Sequence, residues 1–264
     1  MPGEAQSDTV TVASIGVIAY ILGNILHEGL GHAGACVLTG GKVISVSAVA
    51  MDCSAENRLV IAGGTIMNVI AAAAFFFLGR IAGRNSAALR YFLWLSMTIN
   101  MMEAAGYFLL SGIGGIGDWY MFIQGFTPQW AWRVALAVIG GVTYLLAVRF
   151  SILELRPFIG SDRRRRVVLA RSLTLTPYFA GGVIECLAGV LNPQGWFLVV
   201  FSAAASTLGG TSGLAWGSEW LRGNGIPSGP PAEPVAIARS RPWIGAAILL
   251  AVAFIVVLGP GVRF

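Results

Sequence analysis

The sequence predicts an all-α polytopic membrane protein with about six to seven transmembrane helices and a possible short β-hairpin loop after the first. Hydrophobic residues make up 56% of its 264 residues and charged residues only 11%, against roughly 25% in an average soluble protein. The charges are also unevenly spread, because stretches such as 59–79 and 242–262 contain none. Apolar runs of about 20 residues match the length of a bilayer-crossing helix.

The apolar segments predict the order of the helices. Seven of them, one weak, lie at about residues 12–38, 59–81, 88–110, 130–150, 169–191, 196–216 and 243–258. Ser7, Asp8 or Thr9 is suited to cap the first helix, and Pro177 interrupts the start of the fifth. We expect a single transmembrane domain over 1–264, with a candidate catalytic core at 12–120 and helices of unassigned role at 130–264.

The connecting segments carry weaker signals. Residues 42–49 alternate in part between apolar and polar side chains, which favours a short strand or hairpin. Residues 111–118 are too rich in glycine for a simple helix, and the proline-containing segment 217–241 is typical of a flexible loop. The N-terminus has no Lys or Arg before its first span, so we expect a retained helix rather than a cleaved signal peptide.

The basic residues indicate topology rather than nucleic acid binding. Four consecutive arginines occupy 163–166, and beside a membrane span such a run marks the cytoplasmic side. Seven spans place the arginine-rich loops at 79–90, 149–171 and 217–241 on one side, together with the N-terminus. The expected partners are therefore the lipid bilayer and no nucleic acid.

The three cysteines give no sign of a disulfide framework. Cys36, Cys53 and Cys186 lie far apart in the sequence and form no CxxC pair. We therefore predict that the fold is held together without disulfide bonds.

The first span contains the only two histidines of the chain, His27 and His32, and its one charged residue, Glu28. Ionisable groups at membrane depth are costly and usually face a cavity or a partner. A hydrogen-bonded polar patch between helices is one interpretation of the three residues. The other is a zinc site, in which two histidines hold the metal and the neighbouring glutamate is the general base.

The spacing of the histidines departs from the HExxH pattern by one residue. At about 100° per residue, five steps on an α-helix leave two side chains about 140° apart, whereas four steps leave them about 40° apart. A π-bulge inserts one residue into a turn and would bring both imidazoles to one side. Gly29 and Gly31 weaken regular helix at this point, so we predict a bulge or break between His27 and His32.

A zinc site of this kind needs a third protein ligand and an open position. Because the chain has no further histidine, we expect a carboxylate, and Asp118 is the first candidate. It follows the glycine-rich break after the third span, on the same side as the end of the first. Glu103 and Glu185 are weaker candidates, and an ordinary helix-capping role for Asp118 is the alternative.

These residues resemble the site-2 protease family of intramembrane zinc metalloproteases. In that family a HExxHA segment, here His27 to Ala33, precedes a small strand-forming loop, here beginning at Gly40. Residues 62–68 resemble the family's Gly-Pro-x-x-Asn stretch, and residues 117–119 lie where the family has its third zinc ligand. The likeness covers about residues 20–120. It departs from the family in the extra residue between the histidines and in Trp119, which follows the aspartate in place of glycine.

The resemblance implies a function and roles for individual residues. It implies a zinc metalloendopeptidase in which His27, His32 and Asp118 hold Zn²⁺, Glu28 is the general base and Asn68 assists the substrate or oxyanion. The substrate would be an unwound transmembrane helix of another membrane protein, and the location a bacterial-type cell membrane. Family members usually place the first core helix in the orientation opposite to the one that the arginines predict, so the orientation stays open.

Two other functions remain compatible with the sequence. Glu103 and Glu185 could join Glu28 in a proton or metal route through a transporter or channel. A catalytically inactive, protease-like membrane protein that binds a partner is the third possibility. Zinc content and cleavage by a Glu28→Gln variant distinguish the three.

Overall fold

The computed structural model describes residues 6–82, 86–192, 199–222 and 232–264, which are mostly helical. The α-helices are α1 (Thr9–Asn24), α2 (Ala33–Leu38), α3 (Arg58–Ile81), α4 (Ala87–Gly114), α5 (Asp118–Phe122), α6 (Gln129–Glu154), α7 (Arg156–Ile159) and α8 (Arg163–Val190), followed by Gly213–Trp216 and Arg241–Ala253. Segments of π-helix lie at Ile25–His32, Val199–Gly209 and Phe254–Leu258, and a 3₁₀-helix lies at Gly217–Leu221.

Among the described residues, five helical stretches are long and apolar enough to cross a membrane. They are Thr9–Leu38, Arg58–Ile81, Gln129–Glu154, Arg165–Val190 and Arg241–Leu258. Helix α4 has 28 residues but is not among the five, and it carries Arg90 and Glu103. The sixth predicted span, 196–216, begins within residues 193–198, which lie outside the described part of the chain.

The ends of the helices follow local hydrogen bonding. Asp8 caps α1, since its Oδ1 accepts hydrogen bonds from the Thr11 backbone N–H at 2.8 Å and hydroxyl at 2.7 Å. The predicted cap at this position is therefore confirmed. Helix α8 begins six residues earlier than predicted, because Asp162 accepts from the Arg165 N–H at 2.7 Å. Pro177 lies inside α8 and does not end it.

A small antiparallel sheet follows the first helical stretch. Strands β1 (Val43–Val46) and β2 (Met51–Cys53) form the predicted hairpin. A third strand, β3 (Val262–Arg263), pairs with the other side of β1, so the strand order is β2-β1-β3. The sequence did not predict β3, because a two-residue strand has no periodicity to detect.

The prediction of no disulfide is wrong. Cys36 and Cys53 form a disulfide bond, with their Cα atoms 6.0 Å apart. The two cysteines are 17 positions apart, and the chain between them folds back as the hairpin, which brings β2 beside the end of α2. The spacing of the cysteines along the chain does not reveal this bond, because the folding of the hairpin brings the two cysteines together.

The helices share one large core and present apolar faces outward. Helix α1 packs against α4, α8 and Arg241–Ala253, while α3 packs against α4 and the π-helical segment Ile25–His32. The largest fully buried side chains include Tyr20, Tyr91 and Leu95. Many apolar side chains on the outer faces are exposed, for example Val69, Phe77, Val138, Leu146 and Leu249. Many exposed large apolar side chains are typical of a surface that meets a membrane or a partner.

Candidate metal centre

The two histidines lie on a π-helix, as their spacing predicted. Residues Ile25–His32 are π-helical, and the Ala33 N–H bonds to the Glu28 carbonyl five residues earlier. The extra residue per turn brings the two imidazoles together, with their Nε2 atoms 3.1 Å apart. Both rings are buried. The predicted distortion of the helix is therefore confirmed.

Glycines let α3 come close enough to enclose these histidines. A Cβ atom on Gly31 would lie 2.6 Å from the Gly64 Cα and 2.7 Å from the Gly63 carbonyl oxygen. A Cβ atom on Gly64 would lie 2.6 Å from His32 Nε2 and would also clash with His27 Nε2. Small residues allow such close helix contacts, and here they place the α3 backbone directly against the two ring nitrogens.

Asp118 reaches the histidines from the turn after α4. Gly115 and Gly117 adopt positive φ angles of 65° and 83°, which only glycine adopts readily, and the chain then turns back into α5. The Trp119 indole N–H donates to the Thr65 hydroxyl on α3 at 3.0 Å, which holds the start of α5 against the histidine-bearing face. Asp118 is the first residue of α5 and does not cap it, because Gly117 occupies the cap position.

The three predicted ligands converge on one point. Asp118 Oδ2 lies 3.4 Å from His27 Nε2 and 3.4 Å from His32 Nε2. Two ligands that bind a tetrahedral zinc at 2.0–2.2 Å are themselves separated by about 3.4 Å. Asp118 Oδ2 is also buried without a hydrogen-bond partner. These atoms therefore have the identities and separations that suit a zinc ion.

The two imidazoles favour the ionised form of the Asp118 carboxyl group. Burial by itself raises the pKa of the Asp118 carboxyl, but the two imidazoles that face it outweigh this effect and hold its pKa below the usual range. The ionised form is the one that binds a metal. His32 Nδ1 lies 2.7 Å from the Val60 carbonyl oxygen, a contact that leaves Nε2 free to face the site. His27 stacks on Tyr107, with ring centroids 4.6 Å apart.

A cavity of about 560 Å³ gives access to this cluster. Glu28, His32 and Asp118 all line it, and the walls include Met51 and Asp52 of β2. Glu28 is 8% exposed and directly follows His27. A carboxylate beside the candidate metal ligands and facing an open cavity can exchange a proton with water there.

The remaining predicted residues lie elsewhere. Asn68 is fully buried on α3, donates to Glu103 Oε2 at 3.2 Å and does not line the 560 Å³ cavity. Its proposed contact with the substrate therefore has no support from this geometry. Glu103 and Glu185 also stay outside the ligand cluster, since the only such cluster of His, Cys, Asp and Glu found in the described residues consists of His27, His32 and Asp118.

Sequence reasoning missed several residues that shape the centre. Tyr107 and Trp119 support His27 and Asp118 through ring stacking and a hydrogen bond. The signal for Gly63 and Gly64 was present as a pair of small residues in the second span, but their contact with Gly31 depends on how two helices cross.

Comparisons with known proteins add no relative. No family model matches the chain, and neither a curated protein nor a solved structure matches it.

Proposed function

We propose that the chain is a multi-pass membrane zinc metalloendopeptidase that cleaves transmembrane segments of other membrane proteins. The observation that carries this proposal is the convergence of His27, His32 and Asp118 on one point, with Glu28 beside them on the wall of an open cavity. The resemblance of residues 20–120 to site-2 proteases supports the same function. A bacterial-type cell membrane is the location that the resemblance suggests.

Each residue of the proposed site has a separate role in peptide hydrolysis. His27, His32 and Asp118 would hold the zinc ion, which when bound supplies a Lewis acid that stabilises negative charge on oxygen. Glu28 takes the proton from the attacking water and returns it to the leaving amine nitrogen. The α3 backbone at Gly64 closes one side of the site, so the substrate enters from the cavity side.

The substrate follows from the location of the site. The first helical stretch, Thr9–Leu38, carries both histidines and is apolar enough to span a membrane. A peptide that reaches the site therefore comes from within or beside the bilayer. A transmembrane helix hides its backbone in internal hydrogen bonds, so the substrate segment must unwind locally to present a peptide bond. The five apolar stretches and the predicted spans at 88–110 and 196–216 make up the proposed multi-pass domain.

Replacing Glu28 tests this function. A Glu28→Gln variant keeps the size of the side chain but removes the general base, so we expect full zinc content and cleavage reduced by about 10²- to 10⁴-fold. Glu56→Gln is the matched control, because Glu56 lines the same cavity but is not adjacent to a ligand. Zinc is measured by elemental analysis of the purified protein, and cleavage on a panel of single-span membrane proteins.

The outcomes separate the competing functions. If the wild-type protein contains no zinc, the proposed enzyme function is contradicted, and the transporter or channel remains as the alternative. Zinc that is present without cleavage of any substrate in the panel favours the inactive, protease-like protein. Equal loss of cleavage in Glu28→Gln and Glu56→Gln contradicts the assignment of Glu28 as the base.

The disulfide bears on the orientation of the site. Cys36 lies near the end of the first helical stretch, which also carries the histidines, and its partner Cys53 lies on β2. Disulfides persist on the non-cytoplasmic side of cell membranes, and most arginines lie at the opposite ends of the helices, where Arg80 pairs with Glu154 at 2.8 Å. Both observations support an orientation in which the proposed metal centre lies toward the non-cytoplasmic face.

Thiol labelling checks this orientation. We expect Ala55→Cys, in the exposed turn after β2, to react with a membrane-impermeant maleimide in intact cells. Asp162→Cys, exposed at the arginine-rich end, is expected to react only after the cells are opened. Because Cys186 is free, both variants are made in a Cys186→Ser background. The reverse pattern of labelling contradicts the orientation.

A further inference from the structure

A second, much smaller cavity lies beside His27 and shares several lining residues, including Glu28 and Tyr107, with the 560 Å³ cavity. Its volume is about 20 Å³, and three carboxylates from three different helices line it: Glu28, Glu103 and Glu185. His27, Asn24 and Thr207 also contribute to its walls. Glu185 lies on α8 and Thr207 on the segment Val199–Gly209, so this cavity brings the C-terminal half of the chain to the metal centre.

The two histidines differ in what their second ring nitrogen contacts. A metal-binding histidine almost always donates its other N–H to a carboxylate, a backbone carbonyl or a water, which fixes its tautomer and orientation. His32 Nδ1 has such a partner in the Val60 carbonyl oxygen. His27 Nδ1 is buried and has no partner within the protein. His27 lines the small cavity but not the larger one.

Acceptors for this N–H are present across the small cavity. Glu185 is 3% exposed, and its Oε2 accepts from the Thr207 hydroxyl at 2.5 Å, while its Oε1 is buried without a partner. The Asn24 amide donates to the Ala48 carbonyl at 2.8 Å, and its Oδ1 also lacks a partner. A cavity of about 20 Å³ holds one water molecule, which needs two to four polar partners.

We propose that Glu185 is a positioning residue of the metal centre, which accepts the His27 Nδ1–H through one water in this cavity. Asn24 Oδ1 accepts the second hydrogen of that water. The hydrogen-bonded chain holds the proton of His27 on Nδ1 and directs Nε2 toward the metal. The proposal rests on the zinc site proposed above and gives the helices after residue 150 a role in it.

Glu185 is favoured over Glu103 for this role because of their existing partners. Glu103 Oε2 accepts from the Asn68 amide at 3.2 Å and therefore ties α4 to α3. Thr207 fixes Glu185 through Oε2 and leaves Oε1, which has no partner, for the water. Glu103 thus provides a matched control, since it lines the same cavity and has the same carboxyl side chain.

Zinc affinity tests the proposal. We expect Glu185→Leu to lower zinc affinity by about 10- to 100-fold, the loss typical of outer-shell partners of metal ligands. Glu185→Gln keeps an acceptor oxygen and is expected to stay within about threefold of the wild type. Glu103→Leu is expected to stay equally close. Affinity is measured by competition with a chelator in detergent, and the absorption spectrum of the Co²⁺-loaded protein reports the ligand geometry.

Histidine nitrogen resonances give a readout that does not depend on Glu185→Leu folding. The chain has only two histidines, so ¹⁵N-histidine labelling yields two Nδ1–H signals in the zinc-loaded protein. We expect Glu185→Gln to shift the His27 signal, whereas the His32 signal stays unchanged because Val60 holds it. The same comparison made with Glu103→Gln is expected to leave both signals in place.

The results distinguish failure of the zinc site from failure of the positioning role of Glu185. If the wild type binds no zinc, the proposed function and this proposal fall together. If it binds zinc and Glu185→Gln leaves the His27 signal unmoved, the positioning role is wrong and the zinc site stands. An equal loss of affinity in Glu103→Leu and Glu185→Leu also contradicts the proposal, because it shows an effect of removing any carboxyl group from the cavity rather than one hydrogen bond.

Discussion

Replacing Asp118 with alanine is expected to abolish zinc binding at micromolar metal concentrations. Asp118 supplies the only oxygen among the three converging ligand atoms, and its Oδ2 lies 3.4 Å from each histidine Nε2. Without it the ion keeps two protein ligands, whereas catalytic zinc sites have three. The loss should exceed the roughly 100-fold upper range seen when only an outer-shell partner is removed.

Asp52 is the matched control for this variant. It lines the same cavity, but its Oδ2 accepts from the Ser45 hydroxyl at 2.5 Å within the hairpin. We therefore expect Asp52→Ala to bind zinc as the wild type does. Isothermal titration or chelator competition measures both variants. If Asp118→Ala retains wild-type zinc affinity, the proposed ligand set is wrong. If Asp52→Ala loses zinc to the same extent, the loss is caused by the reduced charge of the cavity and not by the removal of a ligand.

A single methyl group at Gly64 is expected to have an effect of the same order. The added Cβ would lie 2.6 Å from His32 Nε2 and would also clash with His27 Nε2, so at least one imidazole must leave its position. We expect Gly64→Ala to lose zinc binding. Overpacking also costs about 1–3 kcal/mol of stability, which a lower thermal unfolding midpoint in detergent would show.

Gly79 gives the control on the same helix. A Cβ atom there would have Leu93 Cβ as its nearest neighbour, at 4.0 Å, which is an ordinary contact. Gly79→Ala is therefore expected to keep both zinc affinity and unfolding midpoint. A zinc-binding Gly64→Ala variant would show that the histidines do not point at the α3 backbone, and would contradict the site geometry described above.

Local patterns predicted much of the fold because they reflect local physics. The apolar runs form long helices, and the alternating residues 42–49 contain β1, the first strand of the hairpin. The spacing of His27 and His32 predicted a non-α segment, since two ligands five residues apart cannot face one point on an α-helix. The glycine-rich segment 111–118 was predicted to be irregular, but α4 continues to Gly114, and only the residues after it break the helix before Asp118.

Contacts between distant segments were not predictable in the same way. The disulfide between Cys36 and Cys53 was predicted to be absent, and β3 joins the sheet from the end of the chain. Asn68 has the position along its helix that a catalytic role suggests, yet its amide bonds to Glu103. Each of these depends on how whole helices pack, which no window of sequence describes.

The sequence by itself determined the apolar helices, the π-helical distortion and the identity of the three converging residues. These follow from residue type, spacing and the cost of placing charge in an apolar environment. Only the tertiary structure decided that Gly64 lies against the imidazoles and that Asp118 Oδ2 lies 3.4 Å from the Nε2 atom of each. It also decided that Glu185 and His27 line the same small cavity. The physical reason is that these contacts join helices far apart in the chain, and helix packing sets them.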